Sequence, residues 1–552
     1  MSESELNTIS MQNLRARQAA QIALEKLKVQ PTSLLEYRSA GRVAVIGGEQ
    51  AIELAPRLSG ALHPQVILTG GMEEPGAPLV SVGGRNIEIE GCLGNFTLVL
   101  GEAGKPNREI VKVDLIWDLS SEPLLEMPMK PPGYICSDDS EENVQVAVET
   151  LLNLVGTFQK PKYFNYDASI CTHARSGITA CTRCIDACPA QAISSLEEMI
   201  EVDPYLCQGG GVCTAVCPGG ALTYAYPSMQ DTLDQVRTLL QVFRGSGGDH
   251  PVLAFFAEND QQYGVQGDGE SSGEITQQLA DNVLPMVVEE LASTGLEVWF
   301  SALAYGAGRV VLVDRGSMAE RVRTALQQQI AIAQEILQGM GYPVDAIQLQ
   351  PVCDEEQGFE ITMPVIEVAA FSAAGGKRQT LFMAIDHLYA QSQHKKPMVN
   401  LAAGAPFGAA TVDAERCTLC LSCVSACPGK ALQSGHDVPQ IHFIESNCLQ
   451  CGICTRTCPE DAIWISTRLL FDREARSTAR LLYEDEPFCC VACGKPFASR
   501  SMIENMQKKL GQHPMFQSQR ARERLLMCEE CRVVDVVQDA DAMGADMESR
   551  QH

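Results

Sequence analysis

Two runs between residues 417 and 459 carry a cysteine at every third position and close on Cys-Pro. They read Cys417-x2-Cys420-x2-Cys423-x3-Cys427-Pro428 and Cys448-x2-Cys451-x2-Cys454-x3-Cys458-Pro459. Thiolate is the soft ligand that iron–sulfur clusters select. A tight loop with this spacing wraps three corners of a cube, and the fourth cysteine of each run reaches across to the neighbouring cluster. The spacing therefore predicts one [4Fe–4S] cluster on Cys417, Cys420, Cys423 and Cys458. It predicts a second on Cys448, Cys451, Cys454 and Cys427. Each proline fixes φ and ends its loop. A zinc site or a row of unligated thiols explains two complete tandem runs less well.

An altered version of the same unit lies at 171–218. Its Cys181-x2-Cys184-x3-Cys188-Pro189 half is regular, but Ile178 stands where the first cysteine belongs. Cys171, with nine residues between it and Cys181, must serve through a longer loop. The other half, Cys207-x5-Cys213-x3-Cys217-Pro218, has Gly210 in place of its middle cysteine. By the crossover rule, Cys171, Cys181, Cys184 and Cys217 hold a third [4Fe–4S] cube. Cys188, Cys207 and Cys213 remain for the neighbouring site. Three thiolates suit a [3Fe–4S] cluster, or a cube with water or another residue at one iron; a lost cluster is the alternative. His173 and Arg175 sit in the long loop, where a solvated position is the common fate and a tuning or docking role the rarer one.

A third group closes the chain: Cys490-x2-Cys493 and Cys528-x2-Cys531. Two such knuckles read as a four-cysteine zinc ribbon, which would stabilise a segment too short to build its own core. Another iron centre is the rival reading, and unligated thiols the plain one. Cys489 adjoins the first knuckle and confuses the ligand choice.

The 552-residue chain is long enough for several domains. Its 69 acidic and 42 basic residues give a net charge of −27. That argues against a nucleic-acid or anionic-membrane partner and suits docking to a basic protein surface, or simple solubility. The 23 cysteines, mostly grouped for metals, argue for a reducing compartment and not a disulfide framework. There is no run of 18 apolar residues and no signal-peptide pattern, so a cytoplasmic protein without membrane insertion is expected.

The elements that must position these cysteines are α/β. Residues 1–35 carry an N-terminal helix, with Leu14, Ala20, Ile22, Leu24 and Leu27 available for one face. An N-terminal α/β lobe follows at 36–165. RVAVIGG and QVILTGG are its strands, EQAIELAPRLSG its helix, and IEIEGCLGNFTLVL and REIVKVDLIWDL its hairpins. Gly47-Gly48 is only a partial phosphate-binding turn. Cys92 and Cys136 read as ordinary small residues. The altered unit (166–228) precedes a central α/β lobe at 229–405, in which strands PVLAFFAEN and GRVVLVDRG alternate with helices. No catalytic constellation stands out, and His387 is alone in its helix. The second unit spans 406–470, the zinc-ribbon-like module 480–535, and an acidic tail 536–552. The expected fold is thus α/β lobes combined with two α+β bacterial-type dicluster ferredoxin modules and a small C-terminal zinc-ribbon-like module.

The succession CTHARSG…CTRCIDACP, LPMVVEELASTGLEVWFSALAYGAG, LAAGAPFGA, CTLCLSCVSACP and FCCVACGKPF…MCEECR resembles, over nearly the whole chain, a bacterial family of 4Fe–4S dicluster-domain proteins. That family is often encoded near molybdenum- or tungsten-dependent formate dehydrogenases and their maturation factors. The middle lobe is distantly similar to the delta subunit of methyl-viologen-reducing hydrogenases. The resemblance implies electron transfer, with formate dehydrogenase as a candidate partner; Gly210 departs from its standard module. An oxidoreductase subunit whose N-terminal lobe binds flavin or nicotinamide is the second expectation. A maturation or scaffold protein is the third.

Overall fold

The computed structural model describes residues 3–29, 31, 33–58, 60–69, 79–81, 87–101, 109–175, 177–258, 279–316, 318–351, 363–372, 375–436 and 438–539. The N-terminal lobe is built on five parallel strands in the order Leu79–Ser81, His63–Leu68, Arg42–Gly47, Leu115–Asp118, Tyr134–Cys136. Buried runs such as Val43–Ile46 suit a sheet covered on both faces. A separate three-stranded antiparallel sheet, Ile87–Glu90, Phe96–Leu100 and Glu109–Val113, packs its apolar side on this sheet. The second expected hairpin is therefore split. Glu109–Val113 pairs with Phe96–Leu100, whereas the fully buried Leu115–Asp118 enters the parallel sheet. A β-carbon at Gly47 would stand 3.1 Å from the Leu119 β-carbon, so close strand packing accounts for that glycine.

The central lobe has four parallel strands in the order Val283–Val288, Val252–Ala257, Arg309–Asp314, Ile347–Pro351. Helices Met229–Gly245, Leu296–Ala304, Glu320–Met340 and Lys377–Gln391 surround them. Ser228 and Asp231 form a capping box at the start of the first helix. Gly341, at φ +80°, ends the third in the left-handed region. His387 Nε2 meets Glu367 O at 2.7 Å and Gln391 Nε2 at 2.8 Å, a structural position.

The N-terminal helix, Glu3–Glu25, lies on the central lobe. Its buried face is Asn13, Ala16, Arg17 and Ala20, flanked by Leu24, while Ile22 and Leu27 point outward. Small and polar side chains occupy this face because they meet backbone. Arg17 donates to Ala280 O at 2.9 Å, Gln21 to Pro285 O at 2.8 Å, and Asn13 Oδ1 accepts from Asp249 N at 2.8 Å. A pattern sought among leucines and isoleucines misses it.

Both cysteine units lean on the core of the central lobe. Ala187, Val212 and Val216 enter it from the first, and Phe407, Leu469 and Phe471 from around the second. Among the described residues no helix is long and apolar enough to cross a membrane. Cys353 and residues 540–552 of the expected acidic tail lie outside the described residues; helix Glu529–Val537 runs into the start of that tail.

Asp114 is a test of the N-terminal lobe. Its buried carboxylate accepts from Arg42 Nη2 at 2.6 Å and from the amides of Ala40 and Arg42 at 3.0 Å. Desolvation opposes ionisation there, but these donors outweigh it and hold the carboxyl below its ordinary value. Asp114→Asn should lower stability by about 1–3 kcal/mol at pH 7. The stabilisation is present above the unfolded value and is lost as pH falls through the lower folded value. The gap should thus hold from neutral pH down to the ordinary carboxylate range and close below it. Urea titration read by hydrogen exchange of strand Arg42–Gly47 measures it.

Candidate metal centres

Three cavities in the cysteine units are lined by the quartets that the crossover rule predicts. One is bounded by Cys417, Cys420, Cys423 and Cys458. A second is bounded by Cys427, Cys448, Cys451 and Cys454. The third is bounded by Cys171, Cys181, Cys184 and Cys217. Each draws three cysteines from one run and one from the Cys-Pro end of the other run of its unit, as two interleaved clusters require. Burial first, and the other three sulfurs next, push the Cys184 and Cys423 thiols up to about 12. Such crowded thiols are poor anions alone and become good ones against a metal's positive charge. The donor set and the enclosed space fit [4Fe–4S] clusters.

Local backbone explains how the loops face inward. Leu419 and Leu421 have φ of 52° and 59°, and Gln450 and Gly452 have 52° and 78°. These left-handed residues flank Cys420 and Cys451 and turn successive amides toward the sulfurs. Further donors point at sulfur: Gln450 Nε2 to Cys448 at 3.3 Å, Ala462 N to Cys458 at 3.2 Å, and Leu222 N to Cys217 at 3.5 Å. Such bonds favour the reduced, more negative state of a bound cluster.

The long loop after Cys171 is absorbed by a small antiparallel pair, Ala174–Arg175 with Ile178–Thr179. His173 fastens it. Its Nδ1 lies 2.9 Å from Cys181 O and its Nε2 2.7 Å from Ser195 Oγ, and the side chain is buried. The solvated position expected for His173 is therefore corrected: the inserted residues need an internal anchor, while Arg175 remains exposed.

Cys188, Cys207 and Cys213 also come together. Burial first, then Cys207 and Cys188, push the Cys213 thiol well up. Gly209 and Gly211, at φ 80° and 69°, repeat the left-handed pattern of Gln450 and Gly452 on either side of Gly210. The loop keeps the cluster-binding shape at the position where it lacks a cysteine.

The two units touch through their quartets. Burial, and then nearer sulfurs, push the Cys451 thiol up to about 11, and Cys181 of the first unit adds to this. Arg456 donates to Thr179 O, and Gly219 packs on Leu449. Within each unit the neighbouring sites also act on one another: Cys423 on Cys454, and Cys184 and Cys217 on Cys213. The four sites thus form one series, beginning with Cys188/Cys207/Cys213 and ending with the quartet that contains the exposed Cys420.

Lys377 and Arg378, which sequence reasoning passed over as ordinary helix residues, join the units. Lys377 Nζ donates to Thr214 O and, at 2.8 Å, to Ala215 O of the first unit. Arg378 donates to Ser446 O at 2.7 Å, Pro406 O at 2.8 Å and Cys448 O at 2.7 Å around the second. Its guanidinium also lies over Phe382 and Phe407, 5.0 and 4.8 Å from the ring centres. Adjacent basic residues at a helix start were the only available signal, and they are common on surfaces.

In the C-terminal module the sulfurs of Cys490, Cys493, Cys528 and Cys531 all lie within 4.8 Å of one another. Cys489 is exposed and outside this group. Burial raises the Cys490 thiol, but the amides of Cys528, Cys493 and Ala492 outweigh it and bring it down to about 6. This arrangement can hold a metal ion. The module docks on the second unit: Ser499 Oγ donates to Thr418 O at 2.7 Å and Asn505 Nδ2 to Glu460 at 2.9 Å. Cys92 is buried and Cys136 exposed.

Residues 415–463 match the family model described as a 4Fe-4S dicluster domain. The match spans both regular runs and makes this segment a ferredoxin-type iron–sulfur domain. No curated protein matches the chain.

Two substitutions test the geometry. Arg378→Met strands three carbonyls and should cost on the order of 3 kcal/mol; thermal unfolding of the iron-loaded chain reads it. Gln450→Leu removes a donor to Cys448 and should shift the potential of that centre to a more negative value, read by EPR-monitored redox titration.

Proposed function

We propose that the chain is an electron-transfer protein in which the four thiolate sites act as one relay. The observation that carries this reading is the contact between units: Cys181 and Cys451 belong to neighbouring quartets, and Lys377 and Arg378 fix the approach. When bound, each cluster supplies a one-electron redox couple. The chain's own residues keep the sites close, dry and hydrogen-bonded. The exposed Cys420 marks the end open to a partner. The other end is less open: Cys188 is buried and Cys207 and Cys213 are half-buried, Lys160 donates to Cys207 O at 2.6 Å, and Arg321 donates to Cys188 O at 3.3 Å. A redox protein with a basic face, complementary to the net charge of −27, is the partner expected at the Cys420 end. Formate dehydrogenase is the candidate suggested by the family resemblance. The four-cysteine module takes zinc in this reading and braces the outer site.

A second reading rests on a cavity of about 690 Å³ at the C-terminal edge of the N-terminal sheet. Gln50, Ser120, Ser137, Asp138 and Asn143 line it. Ligands of open α/β sheets bind at such edges, so an oxidoreductase subunit with flavin or nicotinamide there is the alternative. It requires a yellow chromophore or nicotinamide binding to the isolated protein.

Anaerobic iron, sulfide and zinc analysis with EPR before and after dithionite tests the first reading. It predicts about 15 iron atoms, one zinc and an oxidised-state signal, from three cubes and a three-iron centre. About 8 iron atoms, with no reducible centre from 171–217, would remove the relay and favour a scaffold or maturation protein.

A further inference from the structure

The Cys188/Cys207/Cys213 site has a feature that its ligand count does not explain. A β-carbon built on Gly210 would be in ordinary van der Waals contact with two apolar side-chain ends, Pro189 Cγ at 3.7 Å and Met129 Cε at 4.0 Å, so a larger side chain would have to share the space that Met129 holds. Met129 comes from the N-terminal lobe, 81 positions before Gly210 in the sequence. It packs in the same apolar cluster as Cys207, Cys213, Cys188 and Ala190. Its placement is fixed from both sides: Met129 N donates to Pro189 O at 3.2 Å, and Gln208 Nε2 donates to Lys130 O at 2.7 Å. A segment of another lobe is thus tied to the residue after one ligand and the residue after a second.

We infer that Met129 is a plug: it fills the volume vacated by the missing cysteine and closes the open corner of a three-iron centre. This rests on the reading that a cluster occupies the site. The methyl group, not the sulfur, is the part of Met129 that reaches the Gly210 position, and a thioether is a weaker donor to iron than thiolate. The flexible, apolar side chain suits an irregular gap. The two atoms nearest to the Gly210 position, Met129 Cε and Pro189 Cγ, are both apolar and offer water no partner. A fourth iron arriving there meets no ligand. The plug thereby keeps the centre in its three-iron form, against the conversion in which one electron reduces [3Fe–4S]⁺ and Fe²⁺ then completes [4Fe–4S]²⁺.

The test uses the full, anaerobically isolated chain as wild type, Met129→Ala, Met129→Leu and Gly210→Cys. Each is incubated with ferrous iron and dithionite, desalted, gently reoxidised and read by EPR and iron analysis. Wild type and Met129→Leu should keep the oxidised-state three-iron signal. Met129→Ala should lose it as water and iron gain the corner. Gly210→Cys should lack it from the start and carry about 16 iron atoms, since four cubes are then fully ligated. Equal loss of the signal in wild type and Met129→Ala would overturn the plug. A Met129→Leu variant that behaves like Met129→Ala would also overturn it, in favour of a sulfur ligand. About 12 iron atoms in wild type, with no oxidised signal, would show instead that the site holds no cluster, and the underlying reading would fail first.

Discussion

Two adjacent cations, Lys377 and Arg378, bear the constraint on which the rest of the molecule depends. Cysteine loops carry inward-turned amides and outward-turned carbonyls, and burying those carbonyls between two units requires donors. A helix start supplies both. Lys377 satisfies the end of the short helix Val212–Val216, and Arg378 satisfies the loop that leads to Cys448. Arg378 also has its apolar faces against Phe382 and Phe407. Burial lowers its affinity for a proton, Arg476 adds to this, and Cys448 opposes it in part. Removing either cation leaves buried carbonyl acceptors unpaired where the helix meets the units.

The α/β lobes follow from this need. Electron-transfer sites must be held at fixed separation, and small cysteine loops have little core of their own. The central lobe supplies that core and receives apolar residues from both units. Helix Lys377–Gln391 reaches the second unit again near its far end, where Asp386 accepts a two-point pair from Arg476 at 2.8 and 2.9 Å. Glu445, placed three residues before Cys448, is held by Arg468 at 2.7 Å and Arg480 at 2.6 Å. Charge pairs of this kind orient a loop more than they stabilise it. The N-terminal lobe covers the inner end of the series, and the C-terminal four-cysteine module braces the outer unit while leaving Cys420 exposed.

The cysteine groups were legible in the sequence wherever their spacing is set by a loop. Cys417–Cys458 could be grouped by spacing because each loop wraps its cluster locally, and Gly210 could be recognised as a vacancy for the same reason. What was not legible depended on distant partners. His173 reads as a loop residue until Ser195 is seen beside it. Met129 and Arg378 belong to other lobes, and no local periodicity connects them to cysteine. The lobes were recognisable as α/β from alternating buried strands and helices. The fate of Leu115–Asp118 was not, because a buried parallel strand and the second arm of a hairpin share one short apolar pattern. The N-terminal helix misled for a related reason: its contact face consists of Asn13, Ala16, Arg17 and Ala20, and not of its largest apolar residues.

In the proposed relay the four sites form one series, joined where the quartet containing Cys181 approaches the quartet containing Cys451. The most direct test is freeze-quench EPR after mixing with a reduced ferredoxin, a donor too large to reach the inner site. The account predicts that the oxidised signal of the Cys188/Cys207/Cys213 centre disappears in the wild-type chain. In a Cys451→Ser, Cys454→Ser variant, which lacks the linking centre but keeps the outer one, the signal should persist. Disappearance of the signal at the same rate in that variant would contradict the account, because electrons would then reach the inner site by another route.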